Sequence, residues 1–209
     1  MASHDSFDIE RLYKLFHSCI KDDDTIDMDE YVNAYEELSK LFHILGSVFS
    51  FVNSDVVEKV GILRDYRKSP EAAEYETFEK MIKYEVANKT TDNKKNASGS
   101  RTLLRLHRAL EFTSRLMHDV KAADEHEKMS HITKEAYDAT LSKHHPWLIR
   151  KGVHVAVYTL PTRKHFIEKL KAKDPVQGLE YLGKTADIQQ RIFNVTEAIY
   201  TREDLHGLP

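Results

Sequence analysis

Apolar residues recur at helical spacing along almost the whole chain. Residues 6–20 carry one amphipathic pattern, and residues 28–52 keep a single apolar face, which predicts a long central helix. The acidic stretch 22–24 predicts a turn between them. Residues 153–157 have strand propensity, but no other segment offers a strand partner, so the pattern predicts helix there as well.

Helix start and stop signals divide the rest of the chain. Asn53 or Ser54 is expected to cap a helix running to about Arg67, and Pro70 to open another that ends near Thr90. The polar stretch 91–100 predicts a loop. The later predicted helices span 101–123, 132–143, 147–159, 162–172 and 175–201. We expect one all-α domain over residues 1–209, because neither a repeat nor a long linker divides the chain.

Composition limits the classes of function. Charged residues make up 31% of the 209 residues and the net charge is −3, which argues against nucleic-acid binding by bulk charge. The chain has only 7 Gly and 5 Pro, in agreement with a mostly helical fold. The N-terminal segment lacks an apolar signal core and no apolar run is long enough to span a membrane, so we expect a soluble intracellular protein.

Three arginines fall on one face of the helix predicted after the loop. Arg101, Arg105 and Arg108 lie within about 60° of one another at 100° per residue. Arg105 projects into the apolar arc, between Phe112 and Leu116, so we expect it to be partly buried. A buried guanidinium keeps its charge and needs an anionic partner. Two interpretations stay open: a bound phosphate, which fits the guanidinium fork, or an internal Arg–Asp salt bridge.

Other candidate residues also allow two interpretations. Asp55 and Lys59 stand at i and i+4, a spacing typical of a surface ion pair. Trp147, the only tryptophan, is either a core residue or an anchor at a membrane interface. His145 precedes a proline and is either merely exposed or held as a fixed hydrogen-bonding group.

Catalytic signatures are not found in the sequence. It has no nucleophile elbow, no phosphate-binding glycine loop and no dinucleotide fingerprint. His126 and His131 flank a stretch similar to the zinc protease motif, but one extra residue turns them onto different helix faces. We therefore expect no enzymatic activity, no cofactor and no metal site.

Taken together, several motifs resemble the glycolipid transfer protein family. They are Asp55-x3-Lys59, Arg101-x3-Arg105-Leu106-His107-Arg108-Ala109-Leu110 and His145-x-Trp147, with supporting strings at 46–51, 84–89, 135–141 and 160–164. The resemblance runs from about residue 28 to the end of the sequence. It is closest to the branch that binds ceramide-1-phosphate, since Lys59 and Arg101 stand where glycolipid-binding members carry Asn and a sugar-stacking Trp.

The resemblance implies a two-layer sandwich of about eight helices around an apolar lipid pocket. It also implies roles for the polar residues in binding the lipid head group. Asp55 would accept from the sphingoid amide N–H and His145 would donate to the acyl carbonyl. Lys59, Arg101 and Arg105 would hold the phosphate. When the site is empty, Asp55 is expected to pair with Arg105.

The implied function is carriage of ceramide-1-phosphate between membranes without any reaction. The expected apolar pocket consists of Phe42, Leu45, Phe49, Val56 and Val60. The expected membrane-docking residues are Trp147, Arg150 and Lys151, with Lys94 and Lys95 of loop 91–100 as a further candidate contact for anionic lipid.

The expected protein is a cytosolic monomer that binds no nucleic acid. It would make reversible contact with anionic phospholipids at Golgi, plasma-membrane and endosomal surfaces, and could enter the nucleus. One alternative stays open: a membrane adaptor that binds an anionic lipid or phosphoinositide without extracting it.

Overall fold

The computed structural model describes residues 6–46, 49–93 and 95–209. Within these ranges the chain forms nine α-helices, joined in places by short 3-10 helices at Ala72–Tyr75, Leu141–His144 and Val157–Thr159. The α-helices are α1 (Ile9–Cys19), α2 (Met28–Leu45), α3 (Ser50–Arg67), α4 (Phe78–Ala87), α5 (Gly99–Ala122), α6 (Met129–Ala139), α7 (Trp147–Ala156), α8 (Arg163–Glu168) and α9 (Pro175–Arg202). None of the helices in the described ranges is long and apolar enough to cross a membrane.

Side-chain caps fix where most of the helices begin. Asp8, Asp27, Thr77, Ser98, Thr162 and Asp174 each accept a hydrogen bond from a main-chain N–H in the first turn of the helix that follows. Such caps satisfy N–H groups that have no partner inside the helix. The start of α9 also has a proline at its first position, where a missing N–H costs nothing.

The prediction of a single long helix over residues 28–52 is wrong. α2 ends at Leu45 because Gly46 adopts a φ of 107°, a backbone conformation that favours glycine. The chain then restarts as α3 at Ser50, so Asn53 and Ser54 lie inside that helix and do not cap it.

Other predicted boundaries also shift. Pro70 does not open α4, because residues 72–75 form a separate 3-10 helix and Thr77 supplies the cap. The helix expected over 132–143 begins earlier and ends at Ala139, where Thr140 leaves helical geometry. The helices expected to reach residues 159 and 172 end as α-helix at Ala156 and Glu168.

The helices pack around one apolar core. α5 and α9 lie along each other, α1 packs on α9 and α2, α2 packs on α3, and α3 returns to α5. Large buried aromatic side chains from these helices fill the space between them, among them Tyr31, Tyr35, Phe16, Phe78 and Tyr200. On its other side α5 contacts α6, which places α3, α5 and α6 around a common opening.

Candidate functional site

Both ends of α5 are held by buried charged groups. At its N-terminus, the carboxylate of Glu85 accepts from the N–H groups of Gly99 at 2.7 Å and Ser100 at 2.8 Å. At its C-terminus, the buried Arg163 donates from Nε to the Val120 carbonyl at 2.9 Å. An anion at the N-terminus and a cation at the C-terminus each match the helix dipole. These contacts fix the rotation of α5 and hence the direction of Arg101, Arg105 and Arg108.

Tyrosine hydroxyls also fix the N-terminal third of α5 against its neighbours. Tyr35 of α2 donates to the Leu106 carbonyl and Tyr200 of α9 donates to the Ser100 carbonyl, both at 2.5 Å. Both tyrosines are fully buried. The site helix is therefore anchored on the side that faces the core, and its arginine-bearing side faces the opening between α3 and α6.

A cavity of about 440 Å³ lies in this opening. Its polar rim carries Asp55, Arg105, Arg108, His144 and His145. Its remaining lining is mainly apolar and comes from five helices and the segments beside them: Phe42, Phe49, Phe51, Val52, Val56, Ala109, Phe112, Thr113, Thr133, Tyr137, Leu141, Pro146, Ile149 and Val153. A charged rim over an apolar interior suits an amphiphilic ligand.

Three of the five predicted pocket residues line this cavity, and two do not. Phe42, Phe49 and Val56 form part of its wall. Leu45 instead packs fully buried in the core, and Val60 faces a smaller cleft between α2 and α3, so their role in a lipid pocket stays a prediction. Both lie on the apolar side of their helix, but another helix and not the cavity covers them.

Arg105 is exposed, so the prediction of a partly buried guanidinium is wrong. Its side chain lines the cavity and forms no hydrogen bond or ion pair with another described residue. The predicted pairing of Arg105 with Asp55 is also wrong. The cavity keeps this part of the apolar arc open, so the guanidinium stays hydrated without a protein counter-ion.

The other two arginines of this face, Arg101 and Arg108, are held by the last residues of the sequence. Arg101 Nε donates to the Pro209 main-chain oxygen at 2.8 Å, and Arg108 Nη2 donates to the His206 carbonyl at 2.9 Å. Neither acceptor is an Asp or Glu side chain, and within the described ranges neither guanidinium forms an ion pair with one. Burial and the nearby charge of Arg105 lower the pKa of Arg108.

Asp55 forms its ion pair with Lys59, as their spacing on α3 allows. Lys59 Nζ lies 3.2 Å from Asp55 Oδ1 and 3.0 Å from Glu58 Oε1. The lysine side chain is only 18% exposed, whereas the Asp55 side chain is 62% exposed. The carboxylate of Asp55 therefore remains accessible at the cavity rim, with a cation on one side.

Two neighbouring histidines complete the rim. His145 Nδ1 lies 2.8 Å from the Tyr137 hydroxyl. Burial lowers the pKa of His145, and the charge of Arg105 lowers it further. Burial likewise lowers the pKa of His144, together with the charges of Arg108 and Lys143. Both rings are therefore neutral at neutral pH and act as hydrogen-bonding groups.

Sequence reasoning missed three residues that line this cavity. Arg108 belonged to the recognised arginine face but was not assigned to the head-group site. His144 adjoins His145 and Tyr137 lies within one of the recognised strings, so both carried a signal. What identifies them is their position in the structure, where all three line the cavity and Tyr137 also contacts His145.

An exposed apolar surface lies beside the cavity mouth on α7. Trp147 is 60% exposed, with Lys151 Nζ 4.4 Å from the centroid of its ring, so it is not a core residue. Leu148, Val155 and Tyr158 are also largely exposed, and Arg150 is exposed among them. In loop 91–100, Lys95 is exposed, and Lys94 lies outside the described residues.

The chain belongs to the glycolipid transfer protein family. The family model described as Glycolipid transfer protein (GLTP) matches residues 26–172. The ceramide-1-phosphate transfer protein of Danio rerio is 35% identical over 209 residues, covering 98% of this chain and 99% of the relative. The human ceramide-1-phosphate transfer protein is 31% identical over 211 residues, covering 99% of each.

Solved structures agree with this assignment. The apo-form of mouse ceramide-1-phosphate transfer protein superposes with a TM-score of 0.93 at 33% identity, covering 98% of this chain and 100% of that chain. The human ceramide-1-phosphate transfer protein in complex with 2:0 ceramide-1-phosphate gives a TM-score of 0.92 at 31% identity, with the same coverage. The predicted all-α glycolipid transfer protein fold is thereby confirmed.

Proposed function

We propose that this protein takes up ceramide-1-phosphate and carries it between membranes without changing any covalent bond. One observation carries the proposal: the cavity joins a rim that carries Arg105 and Arg108 to a mainly apolar interior. A phosphomonoester has three strong acceptor oxygens and close to two negative charges near neutral pH, which suits several converging guanidinium groups. The names of the relatives and the complex with 2:0 ceramide-1-phosphate support the same ligand.

In the proposed complex, the phosphate contacts Arg105 first. Arg105 is the arginine of this face that lines the cavity and has no protein acceptor among the described residues. Arg101 exchanges its bond to the Pro209 oxygen for a phosphate oxygen, and Lys59 contributes its charge from the Asp55 side. We add Arg108 to this set because its guanidinium lines the same cavity.

The amide of the lipid is held by Asp55 and His145. The exposed carboxylate of Asp55 accepts from the amide N–H. His145 is neutral because burial lowers its pKa. When the Tyr137 hydroxyl donates to Nδ1, the ring proton lies on Nε2, and this N–H can donate to the acyl carbonyl. This pair reads an amide, which a glycerol-based phosphate lipid does not have.

The apolar chains enter the cavity between α2, α3, α5, α6 and α7. Each methylene sheltered from water contributes about 0.8 kcal/mol, so a long-chain lipid leaves a membrane very slowly without a carrier. A protein interior that offers equal shelter lowers this barrier. We propose that residues 1–209 act as one such carrier domain, and the coverage of the full-length relatives supports this.

The exposed surface of α7 is proposed to dock on membranes. Trp147 offers an indole for the head-group region, and Arg150 and Lys151 add attraction to anionic lipids. We propose that contact is reversible and peripheral, on Golgi, plasma-membrane and endosomal surfaces facing the cytosol. Imaging of a fluorescent fusion, with Trp147→Ala as the comparison, tests where contact occurs.

A vesicle-to-vesicle transfer assay tests the proposed function. Fluorescent ceramide-1-phosphate should move between vesicles in proportion to protein concentration, whereas galactosylceramide should move far more slowly. Transfer of galactosylceramide with none of ceramide-1-phosphate would refute the head-group assignment. Binding to anionic vesicles with no transfer of either lipid would instead support the membrane-adaptor alternative.

A further inference from the structure

The apolar part of the cavity contains two threonines, one on each of two helices that pack together. Thr113 on α5 and Thr133 on α6 both line the cavity, and each residue is only 1% exposed. The Thr133 hydroxyl oxygen is buried and has no hydrogen-bond partner among the described residues. Most buried hydroxyl groups in proteins are paired, so this exception needs a physical explanation.

The Thr113 hydroxyl has partners within the protein but can still accept a hydrogen bond. The Thr113 hydroxyl lies 3.2 Å from the Leu110 carbonyl and 3.3 Å from Gln189 Oε1. Its one proton can serve only one of these, and its oxygen remains an acceptor. Gln189 itself lies outside the cavity lining. The part of the wall formed by α5 and α6 thus carries two hydroxyl groups among its apolar side chains.

An apolar ligand gives no reason for a threonine at position 133. Valine has nearly the same shape and would line a hydrocarbon cavity without leaving a hydroxyl unpaired. The position of Thr133 relative to the rim matters as well. It precedes Tyr137 by one helical turn, and Tyr137 contacts His145, the proposed amide-binding residue. Thr133 therefore faces the part of the ligand that follows the amide into the cavity.

We propose that Thr133 recognises a hydroxyl group on the lipid chain close to the amide, so that hydroxylated ceramide-1-phosphate is preferred to the unhydroxylated form. This inference rests on the proposed function and narrows its ligand. A chain hydroxyl both donates and accepts, so it can pair with Thr133 whichever way the threonine proton points. The hydroxyl can be carried by C2 of the acyl chain or by C4 of the sphingoid base.

Transfer by the unmodified protein is the first test. Three lipids of equal chain length are compared: ceramide-1-phosphate, its 2-hydroxyacyl form and its 4-hydroxysphinganine form. We expect one hydroxylated form to compete roughly two- to ten-fold better than the plain lipid, the factor that one net hydrogen bond supplies. The preferred form identifies which chain carries the recognised hydroxyl. Equal competition by all three lipids would overturn the inference while leaving the proposed function intact.

Variants of Thr133 then test whether its hydroxyl group causes the preference for the hydroxylated lipid. In Thr133→Val, hydroxylated and plain ceramide-1-phosphate should compete equally well. Thr133→Ser keeps the hydroxyl and should keep the preference for the hydroxylated lipid. Thr196→Val is the matched control, because Thr196 is equally buried on α9 but lies outside the cavity lining. A ratio that survives in Thr133→Val would overturn the role of Thr133. Transfer of none of the three lipids would refute the proposed function itself.

Discussion

Replacing Arg105 by leucine is the most direct perturbation of the proposed phosphate site. Arg105 lines the cavity, is exposed and has no hydrogen bond or ion pair with another described residue. Its removal therefore breaks no hydrogen bond or ion pair within the part of the chain that the structure describes. It also relieves repulsion, because the charge of Arg105 lowers the pKa of Arg108 and of His145. We expect the melting temperature of Arg105→Leu to be unchanged or slightly raised.

The loss of ligand affinity should be much larger. A bidentate contact between a guanidinium and a phosphate contributes about 2–4 kcal/mol. Because Arg105 is exposed to solvent, we expect a value near the lower end of this range. About 2 kcal/mol corresponds to roughly a 30-fold weaker binding of ceramide-1-phosphate. Titration of the protein with short-chain ceramide-1-phosphate measures this, and transfer between vesicles should fall in parallel.

Arg115→Leu is the matched control for this experiment. Arg115 lies on the same helix and is exposed, but it pairs with Asp119 at 2.6 Å and lines a different cleft. Its substitution should leave ceramide-1-phosphate affinity unchanged and cost at most about 1 kcal/mol of stability. The reasoning is refuted if Arg105→Leu unfolds the protein while transfer per folded molecule stays normal, because the arginine would then be a structural residue.

Three further predictions test other parts of the site and of the fold. Asp55→Asn should reduce the preference for ceramide-1-phosphate over phosphatidic acid in a competition assay, since the carboxylate is proposed to read the amide N–H; an unchanged preference would remove Asp55 from this role. Trp147→Ala should weaken sedimentation with anionic vesicles while the melting temperature stays nearly normal, because the side chain is 60% exposed; a loss of about 3–5 kcal/mol would mark it as a core residue. Burial lowers the pKa of His107 to about 4 despite its 2.6 Å contact with Glu197, so the unfolded chain takes up a proton that the folded chain does not. The free energy of unfolding measured in urea should therefore fall by about 3 kcal/mol as the pH drops from 6.5 to 4, and His107→Gln should remove most of this slope.

The helical class could be predicted because it depends on local periodicity, whereas helix boundaries often depend on a few atoms. The apolar face of residues 28–52 continues through the break at Gly46, and only the positive φ of that glycine ends α2. Similarly, Pro70 is a valid helix start by rule, but the side chain of Thr77 binds the first-turn N–H of α4. The spacing of apolar residues and helix propensity do not by themselves decide which of two acceptable residues begins a helix.

The arginine face was predictable because all its members lie on one helix. Arg101, Arg105 and Arg108 share a side of α5, and the caps at Glu85 and Arg163 fix that side. Their partners were not predictable from the same helix. The acceptors for Arg101 and Arg108 are main-chain oxygens about a hundred residues further along the chain. Every residue has such an oxygen, so the sequence does not indicate which one accepts.

The apolar cavity sets the limit of what periodicity can show. An apolar face indicates that its side chains are shielded from water, but it does not indicate whether protein or ligand covers them. Leu45 and Phe42 lie on the same side of α2, yet the first packs in the core and the second lines the cavity. The difference arises because the cavity between α3, α5 and α6 reaches Phe42 but not Leu45. A cavity is thus a property of several helices at once, and polar residues such as Thr133 become informative only after its walls are known.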